Sequence, residues 1–298
     1  LQTYTADTIT LNCDSEQFQI HGGLWDGRTL YQLYNEAHMP WEWHEPLFEL
    51  ARSLGITPFS SPFDSTAVDF LEKLNASIYK IASLESSDLQ LIHRVSSTGK
   101  PTIISTGATE LFELDEAVKT FLSTGNKELT LLVCTSSYPA NPEDANIARI
   151  QFLKNRYGLE VGLSDHTLGL GVSIAAIAKG ASAIEKHLTL SRSDGGVDSA
   201  FSMEPQEFEM LVIEGMAAWQ SIGSDEWKFA KSEVESRRLR RSLYIVKDVK
   251  KGEKVSLSNV RAIRPGHGLS PIELTKILGK SFNQDLNLGT PMSHDFCE

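Results

Sequence analysis

Six times along this chain a short, β-rich apolar run is followed by a polar or glycine-bearing exit and then by a segment of helical period. The runs are Thr57 to Ser61, Ile78 to Ala82, Thr102 to Ser105, Leu129 to Cys134, Glu160 to Leu163 and Ala183 to Leu188, with starts 21, 24, 27, 31 and 23 residues apart. Spacing of this kind fits strand-helix units, and successive units build a parallel sheet with helices packed on it. The intervening segments carry apolar stripes at helical intervals: Val68, Leu71 and Leu74; Leu114, Ala117, Val118 and Phe121; Phe208, Leu211, Val212, Trp219 and Ile222. Asp64 and Ser65 are suited to cap the helix that carries the first stripe. An open doubly wound sheet and a closed barrel both satisfy such units. No strand exit carries a G-x-G-x-x-G turn, which counts against the dinucleotide-binding form of the open sheet. A barrel needs eight units. Leu1 to Thr5 reads as the end of one more strand, entering a long loop that reaches a helix near Pro46 to Leu54. The expected fold is therefore α/β, a (β/α)8 TIM barrel lacking its first β/α unit and most of its second, on the order of 50 residues.

The pattern changes after Trp227. Residues 231–241 are charged and read as a helical tail or linker, and from Ser242 short strands, tight turns and glycine punctuation describe a compact β-rich module over 242–298. Its small size is near the lower limit for independent folding. The barrel domain is expected over 1–230. A formal net charge of −11 disfavours polyanionic partners, so neither nucleic acid nor an anionic membrane surface is an expected partner. Arg237, Arg238, Arg240 and Arg241 then read as solvated charge. Cys13, Cys134 and Cys297 are far apart and form no C-x-x-C pair, so a disulfide framework and a thiolate metal site are both unexpected and a reducing cytoplasm is the expected compartment.

Chemistry is expected at the strand exits, where a barrel gathers its functional side chains. These exits hold Ser60 and Ser61; Lys80, Ser83 and Glu85; Ser105, Thr106 and Gly107; Thr135, Ser136, Ser137 and Tyr138; Ser164, Asp165 and His166; and His187. Hydroxyls and helix-start N–H groups suit a phosphate, and a lysine supplies compact positive charge; serine and threonine are also ordinary helix caps. Lys80 lies in an otherwise apolar strand, where an unpaired charge costs several kcal/mol, roughly, so a paired or functional role is expected. Glu85 could hold a sugar hydroxyl, transfer a proton or start the following helix. Two imidazoles, His166 and His187, underfill a zinc site, so a loosely held octahedral ion such as Mn²⁺ or Mg²⁺, completed by water and substrate oxygens, fits better; Asp165 is expected to orient His166 or ligate indirectly. Residues 22 to 44 contain Trp25, Trp41 and Trp43, three of the five tryptophans. They read as a lid over apolar parts of a substrate or as packing against the barrel.

Lys80-Ile81-Ala82-Ser83-Leu84-Glu85, Gly162-Leu163-Ser164-Asp165-His166-Thr167 and Glu185-Lys186-His187 resemble the K-I-x-S-x-E, G-L-S-D-H-T and E-K-H motifs of the sialic acid synthase family, phosphoenolpyruvate-condensing enzymes that make nonulosonic acids. The segment after Ser242 resembles the antifreeze-like (SAF) module that ends these synthases. The tryptophan-rich insertion, with Trp25-Asp26-Gly27 and Pro40-Trp41-Glu42-Trp43-His44, is most similar to the pseudaminic acid branch. The resemblance implies condensation of phosphoenolpyruvate with an open-chain diacetamido-trideoxyhexose (6-deoxy-AltdiNAc) to give pseudaminic acid and phosphate. Alternatives are N-acetylneuraminate or legionaminate synthesis from N-acetylmannosamine or its 2,4-diacetamido analogue, and, in another class, an inactive fragment or sugar-binding scaffold. It further implies phosphoenolpyruvate contacts at Lys80, Ser83, Ser61, Ser105 and Ser164, metal ligation by His166 and His187, and sugar or catalytic roles for Gln2, Glu85, Tyr138 and Asp198. The implied metal is divalent, Mn²⁺ first, with Mg²⁺ or Co²⁺ as alternatives. Arg264 resembles an arginine that the terminal module inserts into a partner's site, which implies a domain-swapped homodimer. The family's glutamate of the first strand, and a lysine just before the position of Leu1, have no counterpart in this sequence.

Overall fold

A computed structural model describes residues 1–298, which divide into two compact units, Leu1–Gly223 and Ser224–Glu298. The first contains, in order, β1 (Gln2–Thr3), α1 (Ala6–Ile9), α2 (Leu30–Ala37), α3 (His44–Ser53), β2 (Ser61–Pro62), α4 (Ser65–Lys73), β3 (Tyr79–Ile81), α5 (Leu89–Ser96), β4 (Thr102–Ser105), α6 (Leu111–Ser123), β5 (Leu129–Cys134), α7 (Arg149–Tyr157), β6 (Glu160–Ser164), α8 (Gly171–Ala178), β7 (Ile184–Glu185) and α9 (Pro205–Ser221). This is the expected alternation. The segment after β1, expected as a long loop, also holds the short helices α1 and α2.

Every pairing among β1 to β7 is parallel. Gln2 pairs with Ser61, a single bridge joins Ser60 to Tyr79, and β3 to β7 follow in sequence order. The result is one curled arc of seven short strands, with a further parallel bridge from Leu188 to Met203. Alternation along the strands explains where residues point. In β3, Tyr79 and Ile81 are fully buried in the apolar layer beneath the helices, and Lys80 between them lines the cavity described below. The same layer takes Leu129, Leu131 and Val133 of β5, Leu71 of α4, Ile92 of α5, Phe121 of α6 and Ile150 of α7. Asp64 caps α4 as expected, accepting from the N–H groups of Thr66 and Ala67, both at 3.1 Å. Gly162 is required by close approach: a Cβ there would lie 2.3 Å from the Ala183 carbonyl oxygen and 2.7 Å from the Leu132 side chain.

The third apolar stripe behaves differently from its expectation. Leu211 is buried, but Val212, Trp219 and Ile222 are exposed. α9 is apolar nearly all round between Met210 and Met216, so periodicity does not define one face; packing selects the side bearing Leu211 and Gly215, the latter against Ile177 of α8. No helix is long and apolar enough to cross a membrane.

The second unit begins with α10 (Val234–Arg238), followed by the antiparallel pair β8 (Ser242–Ile245) and β9 (Val260–Ile263), and α11 (Leu274–Ile277). Its own core gathers Leu243, Ile245, Val249, Val255, Val260, Ile277, Phe282 and Met292. Bridges at Lys254–Ser281 and Phe282–Cys297 tie the remaining turns together. Cys13, Cys134 and Cys297 are free thiols.

Candidate active site

The C-terminal ends of the parallel strands surround a cavity of ≈ 400 Å³. Gln2 comes from β1, Ser61 from β2, Lys80 from β3, Ser105 from β4 and Ser164 from β6, with Ser83, Tyr138, His166, His187 and Asp198 supplied by the segments that follow strands. Glu85 faces an adjoining chamber of ≈ 230 Å³ whose wall includes Gln2, Ser83, Tyr138, His187 and Asp198, so the two spaces share a neck. Of the candidate site residues, Arg264 alone belongs to the second unit, where it is exposed just after β9.

Lys80 is only 6% exposed. It donates to the Ile81 carbonyl at 3.2 Å, and its Nζ lies 3.5 Å from Glu185 Oε1. Glu185 in turn accepts from the Ser164 hydroxyl at 2.6 Å. Sequence reasoning placed Glu185 in a motif but gave it no role. Its signal was the pairing register, because Ser164 and Glu185 are direct partners across β6 and β7. Ser83 accepts from the Gly107 N–H at 3.1 Å. Ser105 is 1% exposed and its hydroxyl has no hydrogen-bond partner. Buried polar atoms are normally satisfied, so this orphan hydroxyl in the cavity wall is a group that a ligand held there can satisfy.

The two imidazoles lie side by side, ring centroids 5.2 Å apart, and Tyr138 stands against both at 4.5 and 6.1 Å. His166 Nδ1 is 3.0 Å from the Thr135 carbonyl oxygen, which leaves Nε2 as its free nitrogen. His187 Nδ1 lies 3.5 Å from Asp198 Oδ2. Cys134, buried beside His166 with Sγ 3.9 Å from Nδ1, was not expected at the site. No set of three His, Cys, Asp or Glu side chains converges as metal ligands. A closed structural zinc site is therefore a poor match, and the open two-imidazole arrangement fits a divalent ion whose remaining positions are oxygen.

Asp165 does not orient His166. Its Oδ1 accepts from the Thr167 N–H and hydroxyl, and its Oδ2 from Ser173 and the Lys186 ammonium. Side chains alternate at each exit, so the Asp165–Lys186 pair lies behind the wall while His166 and His187 face the cavity. The tryptophans divide. Trp25 lines the adjoining chamber and donates to the Val197 carbonyl at 3.2 Å; Trp41 stacks on Phe70 with centroids 4.7 Å apart; Trp43 is exposed. Burial raises the Glu85 carboxyl to about 7, partly offset by Lys80, and pushes the Tyr138 phenol up to about 12.

The NeuB family matches residues 1–227, and the SAF domain matches residues 240–295. Pseudaminic acid synthase of Helicobacter pylori is 43% identical over 299 residues, covering 100% of this chain and 88% of that protein. Pseudaminic acid synthase of Campylobacter jejuni subsp. jejuni serotype O:2 is 42% identical over 289 residues, covering 97% and 84%. Among solved structures, N-acetylneuraminic acid synthetase from Leptospira borgpetersenii in complex with citrate superposes with a TM-score of 0.66 at 33% identity, over 70% of this chain and 72% of that one.

Proposed function

The chain belongs to the NeuB family and carries a SAF domain, and from that premise we propose that it catalyses the pseudaminic acid synthase reaction, the condensation of phosphoenolpyruvate with an open-chain 2,4-diacetamido-trideoxyhexose. The observation that carries the reading is the joining of Lys80, four serines and the edge-on pair His166 and His187 in one cavity, with the Ser105 hydroxyl buried and unpartnered there. Identity of 42–43% to two pseudaminic acid synthases over nearly the whole chain selects the sugar. The reading also takes the seven-strand arc as part of a (β/α)8 barrel.

In this reaction the methylene carbon of phosphoenolpyruvate bonds to the aldehyde carbon of the sugar, and the aldehyde oxygen takes up a proton. Water then adds at the carbon bearing the phosphate, and breakage of the bond from that carbon to the phosphate oxygen releases inorganic phosphate and the keto acid. Lys80 and the hydroxyls of Ser61, Ser83, Ser105 and Ser164 hold the anion in line with the aldehyde, which lowers the barrier through orientation and fixed dipoles. Glu85 is protonated below about pH 7 and can donate to a sugar oxygen. Gln2, Tyr138 and Asp198 border the neck through which the sugar chain runs.

Charge argues for a cation in the cavity. Lys186 is engaged by Asp165, the Lys80 charge is opposed by Glu185, and Asp198 adds a further carboxylate to the cavity wall, so the side chains alone do little to balance a multiply charged phosphate and carboxylate. His166 and His187 would hold a divalent ion, Mn²⁺ first, and when bound it supplies Lewis-acid polarisation of an oxygen. A homodimer in which Arg264 enters the partner's site, and a cytoplasmic setting, belong to the same reading.

The test is product analysis with phosphoenolpyruvate, Mn²⁺ and each candidate sugar. One phosphate released per molecule of 2,4-diacetamido-trideoxyhexose consumed, with a nine-carbon keto acid as product, is expected. Turnover of N-acetylmannosamine or of its 2,4-diacetamido analogue, without turnover of 6-deoxy-AltdiNAc, overturns the choice of sugar, and turnover of none overturns the reaction.

A further inference from the structure

The chamber beside the catalytic cavity has a different character from the cavity itself. The residues it does not share with that cavity are Tyr4, Ile9, Trp25, Leu33, Tyr34, Phe63 and their neighbours, and among them Glu85 is the one charged group. The aromatic members brace one another: Tyr4 meets Phe63 edge-on with centroids 5.0 Å apart and Tyr34 at 5.9 Å. Trp25 also lines the chamber, held by its N–H bond to the Val197 carbonyl and standing 6.1 Å from the Tyr138 ring. At ≈ 230 Å³ the chamber is large enough for several substituents of a hexose.

Direction follows from the chemistry. The sugar's aldehyde carbon must meet phosphoenolpyruvate beside Lys80 and the two imidazoles, so the chain leaves that point through the neck and its far end enters the aromatic chamber. Resting on the synthase reading above, we infer that the chamber is a selectivity pocket for sugars whose far end carries methyl groups, at C6 and on the C4 acetamido group, and that Trp25 is its specificity-determining wall. Methyl groups lose only water against such a wall. The C6 hydroxyl of a competing sugar loses hydrogen bonds to water that aromatic faces do not replace.

The experiment compares kcat/KM for the 2,4-diacetamido-trideoxyhexose and for N-acetylmannosamine, which carries hydroxyls at C4 and C6, in the parent chain and in Trp25→Ala and Trp25→Phe. The parent is expected to favour the diacetamido sugar. Trp25→Ala is expected to shrink that preference by about tenfold to a hundredfold, the range a single apolar contact gives in substrate discrimination, and Trp25→Phe to keep most of it. A parent that prefers N-acetylmannosamine, or turns over neither sugar, overturns the synthase reading and the pocket with it. A parent that prefers the diacetamido sugar, with the same preference in Trp25→Ala, overturns the pocket alone. Should Trp25→Ala fail to fold, the ratio in Leu33→Thr decides: an unchanged preference there overturns the inference.

Discussion

Lys186 and Asp165 form an ion pair behind the two imidazoles, Nζ to Oδ2 3.1 Å, with side chains 2% and 1% exposed. Each is the chain neighbour of a histidine, Lys186 of His187 and Asp165 of His166. The pair therefore locks the exits of β6 and β7 together, and with them the 5.2 Å separation of the rings.

Removing one partner leaves the other charged and buried. Lys186→Met is expected to destabilise the first unit by about 3–5 kcal/mol, towards the lower end because Asp165 keeps its bonds from Thr167 and Ser173. Adding Asp165→Asn should recover at least half of that loss. Urea unfolding of the single and double variants measures both, and a single variant within about 0.5 kcal/mol of the parent, the range of an unimportant surface change, contradicts the role assigned to the pair.

Much of this arrangement was legible from residue order. Lys80 between Tyr79 and Ile81 signalled an inward charge, because strands of a barrel bury both faces and a lysine there needs a reason. His166 and His187 were legible for the same cause, following strands in successive units. Glu185 escaped because its role depends on which residue of β6 it opposes, and register is a tertiary quantity. Asp165 was misassigned for a related reason: adjacency to His166 in sequence places it on the opposite side of the wall. The tryptophans show the remaining gap. Trp25, Trp41 and Trp43 lie within one stretch of loops and short helices that has no strict period, so nothing in their spacing separates the one at the chamber from the one stacked on Phe70.

Glu85 ties stability to pH. Its carboxyl is raised from an ordinary 4.5 to about 7 by burial, so between those values the folded chain binds a proton that the unfolded chain has released, and stability falls as pH rises through that window. The loss is complete above about pH 7 and amounts to roughly 3 kcal/mol. Glu85→Gln removes the ionisable group. The variant is expected to match the parent near pH 4.5 and to exceed it at pH 8, by thermal unfolding at the two values. A difference that is the same at both pH values contradicts the assignment.

His187→Ala is expected to separate metal binding from folding. The side chain is 28% exposed and its strongest polar contact is the 3.5 Å approach to Asp198, so unfolding should shift by less than about 1 kcal/mol. Mn²⁺ affinity, read by calorimetry on the metal-free chain, should fall at least about a hundredfold, more than the loss of an outer partner brings. Unchanged Mn²⁺ affinity removes His187 from the ligand set.

Ser105 offers the sharpest contrast between what the fold needs and what the site needs. Its hydroxyl closes β4 inside the cavity wall, almost wholly withdrawn from water and bonded to nothing. A buried hydroxyl in that state costs the folded chain about 1–3 kcal/mol, and Ser105→Ala relieves it with a change of one atom and no new volume. The variant should therefore be as stable as the parent or more so. A hydroxyl that donates to an anion contributes about 1.5–3 kcal/mol, so the same substitution should raise the KM for phosphoenolpyruvate by roughly ten- to a hundredfold, with the KM for the sugar little altered. Thermal unfolding and initial rates on one preparation give both numbers. A destabilised Ser105→Ala with an unchanged KM for phosphoenolpyruvate would mean that the hydroxyl serves packing, and the serine rim would lose its most buried member as an anion contact.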